Sequence, residues 1–311
     1  MKTLLIGDNT FIGVSHLSQE RARDRTDKLN IESILEVICS AFSCGATGYT
    51  FSTHPINSQV LDALGASGRV ADQFDLYPVL PYAEGYVRLA NEKGMNGLVN
   101  EVLSKLSLSD KAKLLVEVGV SALRLDLVGM LRTYLDAELK GYLSMKPKNA
   151  TLRSVLLHEV LTDLCLGFQE PQLLNLFAQH VRENYHVRPG FVTYNLVRFV
   201  DLFRDAGLSL KDVTIMTPFN SIGFQMSPSR EACELCLSGL SEADVIAMST
   251  MAGGYLDLDQ AFQYLRTLPR LSGIAIGVSS KEHAKETFTK LRMLSPGEQN
   301  LSAFQRSEKA S

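Results

Sequence analysis

The chain has no tryptophan, only six histidines and no strong excess of either charge. Its 31 basic and 34 acidic residues leave a formal net charge of −3 over 311 residues. Because nucleic-acid-binding proteins usually carry a basic face, this balance argues against a nucleic-acid partner. No apolar run approaches the roughly 18 residues of a membrane-spanning helix, so no membrane segment is expected either.

Cysteine is scarce and odd in number, which does not suit a disulfide framework. The five residues are Cys39, Cys44, Cys165, Cys233 and Cys236. We therefore expect reduced thiols in a cytoplasmic protein. Cys233 and Cys236 lie three residues apart on a predicted helix, but no second pair accompanies them. This pattern favours buried thiols over a metal site.

Short apolar segments alternate with amphipathic stretches along most of the chain. Eight segments are predicted strands: Thr3–Asp8, Thr47–Ser52, Asp75–Pro81, Ser154–Glu159, Gly190–Asn195, Val213–Pro218, Asp244–Ser249 and Gly273–Ser279. The first has only about four apolar residues before Gly7, too few for a signal peptide. The alternation predicts an α/β fold, a single (β/α)8 TIM barrel over residues 1–294, followed by a polar tail at 295–311.

One connection is much longer than the others and spans residues 82–152, between the third and fourth predicted strands. Its sequence is mostly helical in pattern, as in "GLVNEVLSKL" and "LLVEVGVSALRL". Because it leaves the carboxyl end of a strand, where barrel enzymes keep their active sites, we expect a helical lid. The alternative is a surface through which the chain forms a homo-oligomer.

Polar side chains follow several predicted strands at the point where each strand ends. His54 and His158 follow the second and fourth strands, with Asp8 after the first, Tyr82 after the third and Glu159 beside His158. Histidine titrates near neutrality, so this group predicts acid–base chemistry on a small-molecule substrate. The same group could hold a divalent metal. The last four strands end without Asp, Glu or His, however, so no metal ligand is assigned.

Two segments near the C-terminus suit a phosphate-bearing ligand. In "VIAMSTMAGGYL" a buried strand runs into Gly253 and Gly254, where the backbone has no side chains to keep a ligand away. In "GVSSKEHAKETF" a helix begins near Ser280, with Ser279 and Lys281 beside it, and helix N-termini bind anions. The alternatives are an ordinary tight turn and ordinary capping by Ser280.

These segments resemble the aldo-keto reductases. "DVIAMSTMAGGYL" is similar to the family's seventh-strand segment, and "GIAIGVSSKEHAKETF" to its eighth strand and the helix that follows. "GFVTYNLVRFVDLF" and "SVLLHEV" are similar to its fifth and fourth strands, and the likeness covers the C-terminal half best. The resemblance implies an oxidoreductase that uses NADP or NAD on a small carbonyl or alcohol substrate.

The resemblance also implies roles for particular residues. His158 matches the catalytic histidine, Asn195 the residue that holds the nicotinamide amide, and Phe219 an aromatic residue that stacks on nicotinamide. Lys281, near a helix N-terminus, favours NADP over NAD, because its charge suits the 2′-phosphate of NADP. The implied cofactor-binding set is Asn195, Phe219, Ser249, Gly253, Gly254, Ser279, Ser280 and Lys281.

The N-terminal half departs from the family's pattern. In "TFSTHPINS" Ser52 stands where the family has its catalytic Asp, and no matching Tyr follows; "YPVLPY" lacks the catalytic Lys. We therefore predict an oxidoreductase with substituted chemistry, in which Tyr82, His158 or His54 donates the proton.

Two other functions remain open. One is a non-redox isomerase, lyase or hydrolase in which His54 and His158 act on a phosphorylated or metal-bound substrate. The other is a binding or scaffold protein whose active site has decayed. The three readings share one fold, and fold alone does not fix function.

Overall fold

The computed structural model describes residues 3–13, 30–70, 72–81 and 127–294, with the backbone alone for 127–134. Within these ranges the chain forms eight parallel barrel strands. They are β1 (Thr3–Gly7), β2 (Gly48–Ser52), β3 (Phe74–Leu80), β4 (Ala150–Leu152 and Ser154–Leu157), β5 (Arg188–Val192), β6 (Thr214–Pro218), β7 (Asp244–Met248) and β8 (Gly273–Gly277).

The strands close into a ring. Their order is β2, β1, β8, β7, β6, β5, β4 and β3, and β3 pairs back with β2. This arrangement confirms the predicted (β/α)8 barrel, and each observed strand overlaps a predicted one.

Strand β4 is interrupted at Arg153. Leu152 pairs with Leu76, but Leu156 pairs with Val79, so β4 carries one residue more than β3 over this stretch. Such a bulge redirects a side chain. The Arg153 guanidinium makes two hydrogen bonds of 3.0 Å to the Asp75 carboxylate.

Nine α-helices lie in the described part of the chain. They are α1 (Ile31–Ser43), α2 (Pro55–Ser67), α3 (Leu127–Ser144), α4 (Glu159–Phe168), α5 (Pro171–Tyr185), α6 (Leu196–Asp205), α7 (Arg230–Ser238), α8 (Leu258–Leu265) and α9 (Lys281–Arg292). Asp257 caps α8 in a reciprocal capping box with Gln260, and Ser280 caps α9 by accepting from His283 N. Both caps satisfy backbone N–H groups that a helix start leaves unpaired.

The apolar core has two layers because alternate strand residues point to opposite sides of a barrel wall. The inner layer fills the barrel with Leu5, Tyr77, Leu156, Val192, Met216, Ile246 and Ala275. The outer layer lies between strands and helices, where Phe191 of β5 packs on Phe199 and Phe203 of α6 at centroid distances of 5.1 and 5.8 Å.

Only the end of the predicted insertion is described. Within it, α3 is helical as predicted and leads into β4, while residues 82–126, and with them most of the predicted lid or oligomer surface, lie outside the described residues. The predicted tail at 295–311 lies outside them as well. In the described ranges, no helix has both the length and the apolar character needed to cross a bilayer.

Candidate active site

Two cavities among the described residues lie at opposite ends of the barrel. The larger, about 1080 Å³, lies at the amino-terminal end, where Arg153 bonds Asp75 and Arg188 bonds Asp244. The other, about 650 Å³, lies at the carboxyl end. Barrel enzymes build their active sites at the carboxyl end, from loops that follow the strands. The second cavity is therefore the candidate active site.

Some of the predicted site residues line this cavity and others do not. Those that line it are Asp8, His158, Glu159, Ser249, Gly253, Gly254 and Ser279. The predicted site residues that the structure describes but that do not line the cavity are His54, Asn195, Phe219, Ser280 and Lys281. Tyr82 lies outside the described residues, so its predicted role stays a prediction.

Asp8 follows β1 and is buried in the cavity wall. Its Oδ2 accepts hydrogen bonds from Ser52 N (2.8 Å), Ser52 Oγ (2.7 Å) and Asn57 Nδ2 (2.7 Å). Burial raises the pKa of the Asp8 carboxyl; these bonds oppose the rise without cancelling it. A carboxyl poised in this way is suited to exchanging protons at a cavity wall.

His158 lines the cavity and also starts a helix. It is the N-cap residue of α4, where its Nδ1 accepts from Val160 N at 3.2 Å and lies 3.3 Å from Glu159 Oε2. The two contacts require different states of Nδ1. To accept from the backbone N–H, Nδ1 must carry no proton, whereas contact with a carboxylate is favourable when Nδ1 carries one. The ring therefore couples the start of α4 to the charge of Glu159.

The loop after β5 is fixed by a carboxylate from α4. Asp163 accepts from Thr193 Oγ1 at 2.5 Å and from Tyr194 N at 3.1 Å. Burial raises the pKa of Asp163, and these bonds offset part of the rise. The consequence is that Tyr194 lines the cavity, whereas the Asn195 side chain caps α6 through Arg198 N.

The loop after β7 has an unusual backbone. Ser249, Ala252, Gly253 and Gly254 all have positive φ, at 50°, 49°, 70° and 106°. Positive φ is uncommon for residues other than glycine and often marks a functional loop. Thr250 of this loop lines the cavity and is buried, and its hydroxyl has no hydrogen-bond partner among the described residues.

Phe219 and its neighbour Asn220 lie behind the cavity wall. Phe219 is fully buried in the outer core layer. Asn220 donates to Phe224 O at 2.8 Å and to Ser249 O at 3.2 Å, which ties the loop after β6 to the loop after β7. Met216, in the middle of β6, lines the cavity instead.

The loops after β1 and β8 meet beside the start of α9. Thr10 Oγ1 donates to Val278 O at 2.8 Å. Ser279 and His283 line the cavity, so the first turn of α9 borders it although its cap Ser280 does not. Among the residues described, no lysine or arginine lines the cavity, and no cluster of three or more His, Cys, Asp or Glu could hold a metal ion.

Sequence reasoning did not name Thr10, Met216 or His283 as lining residues, and it gave no role to Tyr194 or Thr250, although both stand at predicted strand ends. Thr10, Thr250 and His283 lie one or two residues beyond a residue that the sequence marked, whereas Tyr194 and Met216 lie inside predicted strands. Period-two alternation identifies the strands, but the last inward-facing residue depends on where the strand stops.

Comparison with known proteins bears on the fold. No protein-family model matches the chain, and no curated protein matches it in sequence. Two solved structures from Pseudomonas aeruginosa, both assigned as aldo-keto reductases, match it over nearly its whole length. One covers 94% of this chain and 90% of its own, at 11% identity and a TM-score of 0.56. The other covers 94% and 89%, at 10% identity and a TM-score of 0.51. The chain thus has an aldo-keto-reductase-like (β/α)8 fold.

Proposed function

We propose that the barrel mouth binds a nicotinamide dinucleotide, NADP or NAD, and that the protein is an oxidoreductase acting on a small carbonyl or alcohol substrate. The observation that carries the proposal is the buried Thr250 hydroxyl, which lines the cavity without a partner. Leaving a buried hydroxyl unpaired costs about 1–3 kcal/mol, so such groups call for an explanation. A bound ligand that supplies the missing hydrogen bond is the explanation we favour.

The surrounding residues fit a dinucleotide. The wall formed by the loops after β7 and β8 presents Gly253 and Gly254, Ser279 and the first turn of α9. A helix N-terminus and bare backbone suit phosphate groups, and no carboxylate belongs to this part of the wall. The cavity volume is also within the range of small-molecule sites. The adenosine end would lie towards Ser280 and Lys281.

The nicotinamide end would lie towards β5 and β6. Because the Asn195 side chain caps α6 and Phe219 is fully buried, we assign contact with this end to Tyr194 and Met216 instead. When bound, the nicotinamide supplies or accepts a hydride. Val79, Val192, Met216 and Met248 give the cavity an apolar floor that would exclude water from the reacting atoms.

Three acid–base groups line the wall of the cavity. His158 and Glu159 follow β4, across the barrel from the loops after β7 and β8, whereas Asp8 follows β1, the neighbour of β8. One of them would exchange a proton with the substrate oxygen, as carbonyl reduction and alcohol oxidation require.

The same three residues support a second candidate function. Ser52 stands where the family's catalytic Asp is expected, so acid–base chemistry without hydride transfer is also consistent with the wall. The enzyme would then be an isomerase, lyase or hydrolase acting on a phosphorylated or metal-bound substrate. His54 is outside the wall, so His158, Asp8 and Glu159 would act in this case.

A fluorescence titration with NADPH and NADH distinguishes the two functions. Binding of either cofactor at micromolar concentration, lost on unfolding in urea, is the expected result. Absence of binding up to millimolar cofactor would contradict the oxidoreductase proposal. Assays with phosphorylated substrates and a measurement of metal content would then follow.

We also propose a cellular compartment and an oligomeric state for the protein. The five cysteines are free thiols, which supports a reducing compartment such as the cytoplasm. A homo-oligomer through the insertion at 82–152 stays a proposal. Light scattering on the full chain would test it, because a monomer mass across the concentration range would contradict it.

A further inference from the structure

Asp8, which lines the cavity, is the last residue of a chain of buried hydrogen bonds. Three donors converge on its Oδ2, two from Ser52 and one from Asn57, at 2.7–2.8 Å. Asp8 is 5% exposed and Asn57 is fully buried. None of the three bonds uses Oδ1, and Asp8 lines the cavity.

Asn57 is itself held in one orientation. Its Oδ1 accepts from the Tyr49 hydroxyl at 2.7 Å, and its Nδ2 donates to Ser52 O at 2.8 Å as well as to Asp8. A phenol in this position donates, so the amide oxygen must face Tyr49 and the amide nitrogen must face Asp8. The chain Tyr49, Asn57, Asp8 thus has a fixed direction that ends at the cavity.

The surroundings of Asp8 favour a carboxyl that can carry a proton. Tyr49 on β2 and Tyr142 on α3 are both near enough for the Asp8 charge to raise their pKa values. Burial raises the pKa of Asp8 above its ordinary value, and it raises the pKa of Tyr142, to which the charges of Glu138 and Asp8 add. His158 and Glu159 line the same cavity. Among the described residues, no lysine or arginine lines the cavity beside the Asp8 carboxyl.

We propose that Asp8 is the residue that exchanges the proton with the substrate oxygen, and that Ser52 and Asn57 are positioning residues that hold its carboxyl in one orientation. This proposal rests on the proposed oxidoreductase function. In carbonyl reduction the Asp8 Oδ1–H bond breaks and an O–H bond forms on the substrate oxygen. The substrate carbon gains the hydride that the reduced nicotinamide loses. The Asp8 carboxylate then regains its proton from water, and alcohol oxidation reverses each step.

His158 is less suited to this role. Its Nδ1 already accepts the Val160 N–H at the start of α4, so a proton at Nδ1 would cost the helix its cap. Asp8 has no such helix to support, and its three donors stay in place in either protonation state.

The first experiment measures the protonation of Asp8 directly, by carbon-13 NMR of the protein labelled at aspartate carboxyls. Asp8→Asn assigns the signal. We expect a titration midpoint above the ordinary 3.8. Ser52→Ala removes one donor to the carboxylate and should raise the midpoint by about 1 pH unit, whereas Ser52→Thr keeps the hydroxyl and should restore it. A midpoint at or below 3.8 would overturn the proposal, since Asp8 would then be a permanently ionised structural anchor.

The second experiment separates binding from proton transfer. Asp8→Asn has nearly the same shape but cannot exchange a proton, so NADPH affinity should change less than twofold while turnover of 4-nitrobenzaldehyde falls at least 100-fold, in the range expected for loss of an acid–base group. Asp62→Asn, at an exposed position of α2, is the matched control and should change neither. Turnover of Asp8→Asn within twofold of the unsubstituted chain would overturn the proposal. If the chain binds no cofactor, the oxidoreductase function fails, and the NMR titration still decides whether Asp8 carries a proton.

Discussion

His54 and His158 occupy the same position in two units of the barrel, since each is the N-cap residue of the helix after its strand. Nδ1 of His54 accepts from Ile56 N at 3.1 Å, and Nδ1 of His158 accepts from Val160 N at 3.2 Å. In the neutral ring this geometry leaves the proton on Nε2. Both histidines thus have a structural role at the strand ends, and only His158 also lines the cavity.

Asparagine can replace the capping function of either histidine without replacing its acid–base function. We expect His54→Asn and His158→Asn to keep the free energy of unfolding within about 0.5 kcal/mol, because Asn is among the best N-cap residues. His54→Ala and His158→Ala should each lose about 0.5–2 kcal/mol. Urea unfolding of the four variants measures this difference. Equal losses for Asn and Ala at one position would contradict a capping role there.

The unpaired Thr250 hydroxyl predicts opposite effects on stability and on binding. Thr250→Val keeps the shape of the side chain and removes the buried hydroxyl, so the free energy of unfolding without ligand should stay constant or rise by up to about 1 kcal/mol. NADPH affinity should fall by about tenfold, the worth of one hydrogen bond. Thr287 offers a matched control, because its buried hydroxyl also has no hydrogen-bond partner among the described residues but does not line the cavity.

Thr287→Val should gain similar stability and leave NADPH affinity unchanged. If both substitutions leave affinity unchanged, Thr250 does not contact the cofactor, and the main support for a dinucleotide at this wall is lost. Urea unfolding and cofactor fluorescence on the same protein samples give both quantities.

The sequence predicted the barrel because strand and helix periodicities are local properties. Each predicted strand overlaps an observed one, and Ser280 caps α9, which was the alternative that the sequence offered for it, since a cap depends on residues within one turn. The interruption of β4 at Arg153 carried no such local signal. It depends on the register with β3, which is a property of two strands together.

The site was less predictable because it depends on partners distant in sequence. Asp8 and His158 were identified from their positions after strands, but the Asn57 that holds Asp8 is 49 residues away in the chain. Asn195 and Tyr194 show the other difficulty. The fifth strand ends at Val192, three residues earlier than predicted, so Tyr194 turns to the cavity and Asn195 to the helix cap.

Two glycines predict opposite responses to the same substitution. A Cβ at Gly48 of β2 would lie 2.6 Å from Asp75 O and 2.8 Å from a Leu5 methyl, whereas a Cβ at Gly141 of α3 would meet nothing within 4 Å. Gly48→Ala should therefore lower the free energy of unfolding by about 1–3 kcal/mol through overpacking. Gly141→Ala should raise it by about 0.8–1 kcal/mol, because alanine favours a helix interior. Urea unfolding measures both, and a neutral Gly48→Ala would mean that β2 and β3 can move apart.

Asp136 connects the end of the insertion to the barrel's outer layer. From α3 its Oδ1 lies 2.7 Å from His180 Nε2 and accepts from the Tyr185 hydroxyl at 2.5 Å, both on α5. Burial alone would raise the pKa of Asp136, but these two bonds outweigh it and hold the pKa below the ordinary 3.8. A carboxyl whose pKa is lowered by folding stabilises the protein at pH values above its ordinary pKa. This stabilisation is lost as the pH falls below that pKa.

Asp136→Asn should therefore cost about 1–2 kcal/mol at pH 7, and the difference from the unsubstituted chain should shrink as the pH falls below 3.8. Urea unfolding at pH 7, 5 and 3 measures the trend, with Asp62→Asn as an exposed carboxylate that should show none of it. A cost that is equal at pH 7 and pH 3 would mean that the shape of the side chain, rather than its charge, holds α3 against α5. On the same helix, Glu138 accepts a hydrogen bond from Thr53 Oγ1, directly after β2. Loss of the contact between α3 and α5 should therefore disturb the cavity wall around Asp8 before the barrel strands separate.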